Sequence, residues 1–156
     1  MARMWQIVNS LFAGVIRGRM ALPPRLTVVA LVVNEQDRYV LARLFGEEPL
    51  RVRFAESLEE TCSVVNQLTA PVVLLDRDWP GTDWKTAVWR LAACPHRACV
   101  VLVSGVADAY LWQEVIRQGG YDVVPKPLRP DKVQRIVRLA MSYWTSTPKP
   151  AAAKKS

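Results

Sequence analysis

Four residues could supply the chemistry of this chain: Asp76, Ser104, Lys126 and Glu35. Asp76 closes the apolar run Pro71-Val72-Val73-Leu74-Leu75 and is followed by the turn-forming stretch Arg77-Asp78-Trp79-Pro80-Gly81. Val100-Val101-Leu102-Val103 ends in Ser104-Gly105, and Tyr121-Asp122-Val123-Val124 passes through Pro125 into Lys126-Pro127. Leu26 to Val33 leads into Asn34-Glu35. Each apolar run reads as a buried strand, so a carboxylate, a hydroxyl, an ammonium and a second carboxylate fall at strand ends. Open α/β sheets keep their ligand sites at the carboxyl ends of their strands.

The elements that must position these groups alternate in type. Leu26 to Val33, Leu50 to Ala55, Pro71 to Leu75, Cys99 to Val103 and Tyr121 to Val124 read as strands. A helical stretch opens at Asp37 with Val40, Leu41, Leu44 and Phe45 on one side. Ser57-Leu58-Glu59-Glu60 is a capping box for a second helix with Leu58, Cys62, Val65 and Leu68 inward. Trp84, Ala87, Val88 and Leu91 fit a third helix, and Leu111, Val115 and Ile116 a fourth that stops at Gly119-Gly120. Pro130 beside Asp131 launches the last, with Val133, Ile136, Val137 and Ala140 inward. Five strands alternating with helices imply an α/β fold, a parallel sheet covered on both faces with right-handed crossovers.

With 156 residues and 51% hydrophobic content, the chain can bury one core and is short for two domains. Its charge of +7 belongs to its ends: Arg3, Arg17, Arg19, Arg25, Lys149, Lys154 and Lys155 account for the excess, and the other 14 basic residues match the 14 acidic ones. No nucleic-acid reading motif accompanies those charges, so nucleic acid is not an expected partner. Met4, Trp5, Val8, Leu11, Phe12, Val15 and Ile16 recur at helical spacing in a stretch too short and polar to cross a bilayer. It suits a helix on a partner or on a membrane surface, and Met20 is an alternative start. Residues 145–156 read as a disordered basic tail. Three cysteines, Cys62, Cys94 and Cys99, make no disulfide framework and favour a reducing compartment. Cys94, His96 and Cys99 are too few for a closed zinc site, so packing of small thiols is expected.

The blocks Val72 to Gly81, Val100 to Gly105 and Gly120 to Pro127, in this order and spacing, resemble the receiver domain of two-component response regulators over about Leu26 to Trp144. The resemblance implies a flavodoxin-like, doubly wound sheet in the order 2-1-3-4-5, residues 26–144 forming the receiver between an N-terminal extension, 1–25, and the tail. It implies that Asp76 accepts a phosphoryl group from a histidine kinase or phosphotransfer protein. Glu35, Asp76 and the Asp78 backbone carbonyl would hold Mg²⁺, with Asn34 available through a water. Lys126 would pair with Asp76 and then with the phosphoryl oxygens, and Ser104 would donate to the attached group. The layout is similar to stand-alone regulators, cytoplasmic and not enzymes, that signal to a downstream protein target; a homodimer stays open. The family usually has two acids after the first strand, where this chain has Asn34 and Glu35, so weaker Mg²⁺ binding is expected. Val123 stands where the family's switch aromatic would be, and the Asp78 side chain adds a carboxylate near the site.

Asn34 and Val123 support a different class of function, a pseudo-receiver that binds proteins without phosphotransfer. A nucleotide- or flavin-binding enzyme is disfavoured, because Asn34-Glu35-Gln36-Asp37 stands where a glycine-rich phosphate loop would follow the first strand.

Overall fold

The computed structural model describes residues 26–46, 50–68 and 70–146. The elements run β1 (Leu26–Leu31), α1 (Glu35–Leu44), β2 (Leu50–Phe54), α2 (Leu58–Gln67), β3 (Val72–Asp76), α3 (Trp84–Ala92), β4 (Cys99–Ser104), α4 (Ala109–Arg117), β5 (Asp122–Pro125) and α5 (Pro130–Ser146). The strands form one sheet in the order β2-β1-β3-β4-β5, with every neighbouring pair parallel. This is the flavodoxin-like fold expected from the sequence.

Strand periodicity divides the core between two layers. Val28, Ala30, Val72, Leu74, Val101 and Val103 face Leu41 and Phe45 of the α1 region and Val133, Val137, Ala140 and Met141 of α5. Their neighbours Val29, Leu31, Val73, Leu75, Val100 and Leu102 face α2, α3 and α4. The central strands β1, β3 and β4 are buried along their whole length, which explains why they read as continuous apolar runs rather than alternating ones. Edge strand β2 alternates, with Arg51 exposed and Val52 half-buried.

Several local expectations shift. β1 ends at Leu31, not Val33, because the Val33 N–H leaves the ladder and donates to Asp76 Oδ2 at 3.0 Å. α1 begins at Glu35 rather than Asp37, capped by the Asn34 side chain, which accepts from Asp37 N at 2.8 Å. In α2 the buried residues are Leu58, Thr61, Val64 and Val65, and Leu68 is exposed. Ser57 Oγ caps Glu60 N at 3.0 Å as expected, whereas the Glu60 carboxylate reaches Glu56 N at 2.8 Å rather than the cap's own amide. Ile116 of α4 is exposed, while Leu111 and Val115 are buried. α5 continues through Thr145 and Ser146, placed above in the tail. The amphipathic run Met4 to Ile16 and residues 147–156 of the tail lie outside the described residues.

The cysteines are corrected as well. Cys62 of α2 and Cys94, two residues past α3, form a disulfide with their Cα atoms 6.0 Å apart, inside the usual spacing for such a bond. Sequence counting missed the pair because only the packing of α2 against α3 brings together residues separated by 32 positions. Cys99 is a free, buried thiol, and desolvation by burial pushes its pKa up to about 11.

Closing a loop of that length stabilises a fold by about 3.5 kcal/mol through restriction of the unfolded chain. Urea unfolding with and without reductant should therefore differ by an amount of that order, and thiol labelling of the oxidised native protein should leave Cys99 unmodified. A second test concerns the end of α4. A Cβ on Gly120 would lie 2.6 Å from Val115 Cγ1 and 3.1 Å from the Val115 carbonyl oxygen. Gly120→Ala should lower stability by about 1–3 kcal/mol through overpacking, read as a lower urea midpoint.

Candidate functional site

Strand register brings the chemical groups together. Asp76, the last residue of β3, lies opposite Val103 of β4, one residue before Ser104. Ser104 lies opposite Pro125 of β5, one residue before Lys126. Each group therefore steps one position along its neighbour at the carboxyl edge of the sheet. β1 and β3 are adjacent there although α1 leads to β2 and α3 to β4, so the edge is a topological switch point.

Asp76 is 1% exposed and its carboxylate is held from several sides. Oδ1 accepts from Asp78 N at 3.0 Å and from Lys126 Nζ at 3.2 Å. Oδ2 accepts from Val33 N and Lys126 Nζ, both at 3.0 Å. The ammonium thus bridges both oxygens, and two backbone amides fix the carboxylate plane. A buried carboxylate needs such compensation, since unpaired burial of charge costs several kcal/mol.

Lys126 is not paired with Asp76 alone. Its Nζ also lies 3.3 Å from Asp37 Oδ2. Burial alone would lower the pKa of this ammonium, but the hydrogen bond and charge of Asp76, followed by the charge of Asp37, outweigh it, and the pKa is raised above the ordinary lysine value. Lys126 is therefore charged at neutral pH and can neutralise developing negative charge beside Asp76.

Asp37 is the residue that sequence reasoning missed. It is 4% exposed, and its Oδ2 makes no hydrogen bond of good geometry despite its complete burial. A helix taken to open at Asp37 puts this residue at a solvated N-terminus. With Asn34 as the cap, Asp37 instead is the third residue of the first turn, four residues before buried Leu41 and eight before buried Phe45. That spacing placed it on the inner stripe of α1 and could have revealed it.

The remaining expected residues are placed as follows. Glu35 is the exposed first residue of α1, and among the described residues no hydrogen bond or ion pair joins it to Asp76 or Lys126. Asn34 is exposed and uses its side-chain oxygen to cap α1. Asp78 is exposed and contributes its N–H to Asp76. Ser104 is buried, and its Oγ accepts from Val106 N at 3.0 Å, leaving the hydroxyl proton to donate. Its carbonyl receives Lys126 N at 2.8 Å, tying the serine and lysine strand ends together. Val123 is half-buried and packs on the layer of α2, α3 and α4.

The resemblance implies Mg²⁺, and the donors present suit that ion. Mg²⁺ is commonly held by one or two carboxylates and several waters. Asp76 supplies one carboxylate, and the unsatisfied Oδ2 of Asp37 marks a second, buried beside it around a shared lysine. No cluster of three or more His, Cys, Asp or Glu side chains suited to a metal occurs among the described residues, so a cation here would draw on water and backbone oxygens as well.

Comparison with known proteins agrees with this geometry. The family model of the response regulator receiver domain matches residues 31–138. The chain belongs to that family. Solved structures share the receiver fold at low identity. A two-component response regulator from Clostridium difficile is similar at TM-score 0.67 and 14% identity, over 78% of this chain and 100% of that one. The signal receiver domain of an HD domain-containing protein from Pseudomonas fluorescens Pf-5 gives 0.67 and 20%, over 79% and 99%. A response regulator from Thermotoga maritima gives 0.66 and 18%, over 76% and 98%. No curated protein sequence matches this receiver. No helix among the described residues is long and apolar enough to cross a membrane.

The Asp37, Lys126 and Asp76 side chains are 5%, 18% and 0% exposed. Removing the ammonium would leave two buried like charges without this shared counter-ion, so Lys126→Ala should cost about 2–4 kcal/mol. Adding Asp37→Asn to that variant should recover part of the loss. A double-mutant cycle by urea unfolding at neutral pH reads both effects.

Proposed function

We propose that this receiver is a phosphorylation-controlled signalling switch with Asp76 as the phosphoacceptor. The observation that carries the proposal is the bidentate grip of Lys126 on a carboxylate already oriented by two backbone amides. Such a carboxylate is placed to attack but needs its charge balanced as it does so.

In the proposed step an Asp76 oxygen forms a bond to the phosphorus of a phosphohistidine on a kinase or phosphotransfer protein. The phosphorus–nitrogen bond breaks, and the imidazole leaves with the electron pair and takes up a proton from solvent. Lys126 keeps its proton and turns toward the phosphoryl oxygens, while the Ser104 hydroxyl donates to one of them. The Ser104 loop then shifts, because Val106 N is bonded to the same Oγ. Asp76, the Asp78 carbonyl and Glu35, with Asn34 through a water, would hold Mg²⁺, whose charge would further neutralise the phosphoryl oxygens. Asp76, Ser104 and Lys126 act on the reacting group, and the outcome is a change of protein contacts rather than turnover of a substrate.

Residues 26–144 form the receiver unit in this proposal, acting in the cytoplasm. A partner kinase or phosphotransfer protein delivers the group, and a downstream protein reads the shifted loop. A pseudo-receiver is the second reading, favoured by one observation: the Asn34 side chain is engaged in capping α1, where the family usually places an acid.

Incubation with a small phosphodonor and Mg²⁺ separates the two. Intact mass should rise by one phosphoryl group, and Asp76→Ala should abolish the gain. Lys126→Ala should slow it by at least about tenfold, since a charge-assisted contact is lost at the reacting carboxylate. Absence of any gain at saturating Mg²⁺ selects the pseudo-receiver.

A further inference from the structure

We infer that Asp37 takes over, from the inner face of the first turn of α1, the electrostatic role of the acid that Asn34 does not provide. It sets the charge of the cleft and positions Lys126 beside Asp76. The inference rests on the phosphoacceptor reading of Asp76 but is tested separately from it.

Three observations converge on Asp37. Its side chain is 5% exposed, so its charge is buried rather than solvated. Its Oδ2 has no hydrogen bond of good geometry and meets one cation, Lys126 Nζ, at 3.3 Å. That same ammonium lies 3.0 Å from Asp76 Oδ2. Asn34 meanwhile spends its side-chain oxygen on the Asp37 amide, and the Asp37 carboxylate points away from the helix end toward the lysine. The neutral residue has become the cap, and the charged one faces the cleft.

The charge balance shows what this arrangement does. Two carboxylates around one ammonium leave a net charge of −1, which favours entry of a cation. Without Asp37 the pair of Asp76 and Lys126 is neutral, and that attraction is lost. When Asp76 becomes an acyl phosphate its carboxylate charge is replaced by that of the phosphoryl oxygens, and Asp37 remains the fixed side-chain anion beside Lys126. It holds the ammonium within reach of the phosphoryl oxygens instead of letting it turn to solvent. Asp37 is thus a positioning residue, while Asp76 is the group that reacts.

Titration calorimetry with MgCl₂ on the full chain tests the inference without any phosphotransfer. Asp37→Asn should weaken Mg²⁺ binding about tenfold, as expected for loss of one buried charge near a divalent ion. Adding Asn34→Asp in the same chain should restore most of that affinity, because it returns the charge at the neighbouring helix start while keeping a good cap. Unchanged Mg²⁺ affinity in Asp37→Asn overturns the inference. So does a loss that Asn34→Asp fails to restore, which would mark Asp37 as structural. Thermal melts check that the variants fold; should Asp37→Asn fail to do so, Asp37→Ser is titrated in its place, with the same two outcomes. If the wild-type chain binds Mg²⁺ in this Asp37-dependent way yet gains no phosphoryl group, the inference stands and the phosphoacceptor reading falls.

Discussion

The ion pair between Lys126 and Asp76 is the interaction on which the rest of the carboxyl edge depends. Asp76 is 1% exposed at the end of a strand whose every residue is buried. Such a carboxylate is tolerated only with excellent geometry, because desolvation of each ion costs several kcal/mol before any attraction offsets it. The protein meets that requirement with one ammonium bridging both oxygens and two amides, from Val33 and Asp78, on the outer lone pairs. The ends of β1, β3 and β5 are therefore held in register by a single side chain.

This constraint shapes the local backbone. Val33 leaves the β1 ladder because its N–H is needed by Asp76. The chain must then turn at once, and Asn34 caps the helix that follows. That cap fixes the rotation of α1 and carries Asp37 onto the inner face, where its charge meets Lys126. On the far side, Ser104 is joined to the lysine through its carbonyl and to its own loop through its hydroxyl oxygen. Lys126 thus joins the Asp76 carboxylate to the backbone at the Ser104 strand end.

The two core layers give the site a packed base beneath a solvated rim. Beneath it, Leu74, Leu75, Val101 and Leu102 are fully buried, and close packing of this kind resists deformation. Above it, the loops after β3 and β4 are solvated, with Asp78, Pro80, Gly105 and Val106 exposed. The Cys62–Cys94 link adds a covalent tie between α2 and the end of α3, below that rim.

The alternation of apolar runs with helical spacing determined the fold class, because buried parallel strands and amphipathic helices leave periodicities that no other arrangement satisfies as well. Asp76, Ser104 and Lys126 were legible for the same reason: each ends a run, and strand ends on a parallel sheet must share one edge. Tertiary structure alone decided what depends on rotation and on distance across the fold. The exit of Val33 from β1 moved the start of α1 by two residues, turning Asp37 from a solvated helix opener into a buried partner of Lys126. The pairing of Cys62 with Cys94 likewise needed two helices to meet on one face of the sheet. Sequence spacing specifies neighbours within an element, whereas the packing of separate elements selects which of their side chains touch.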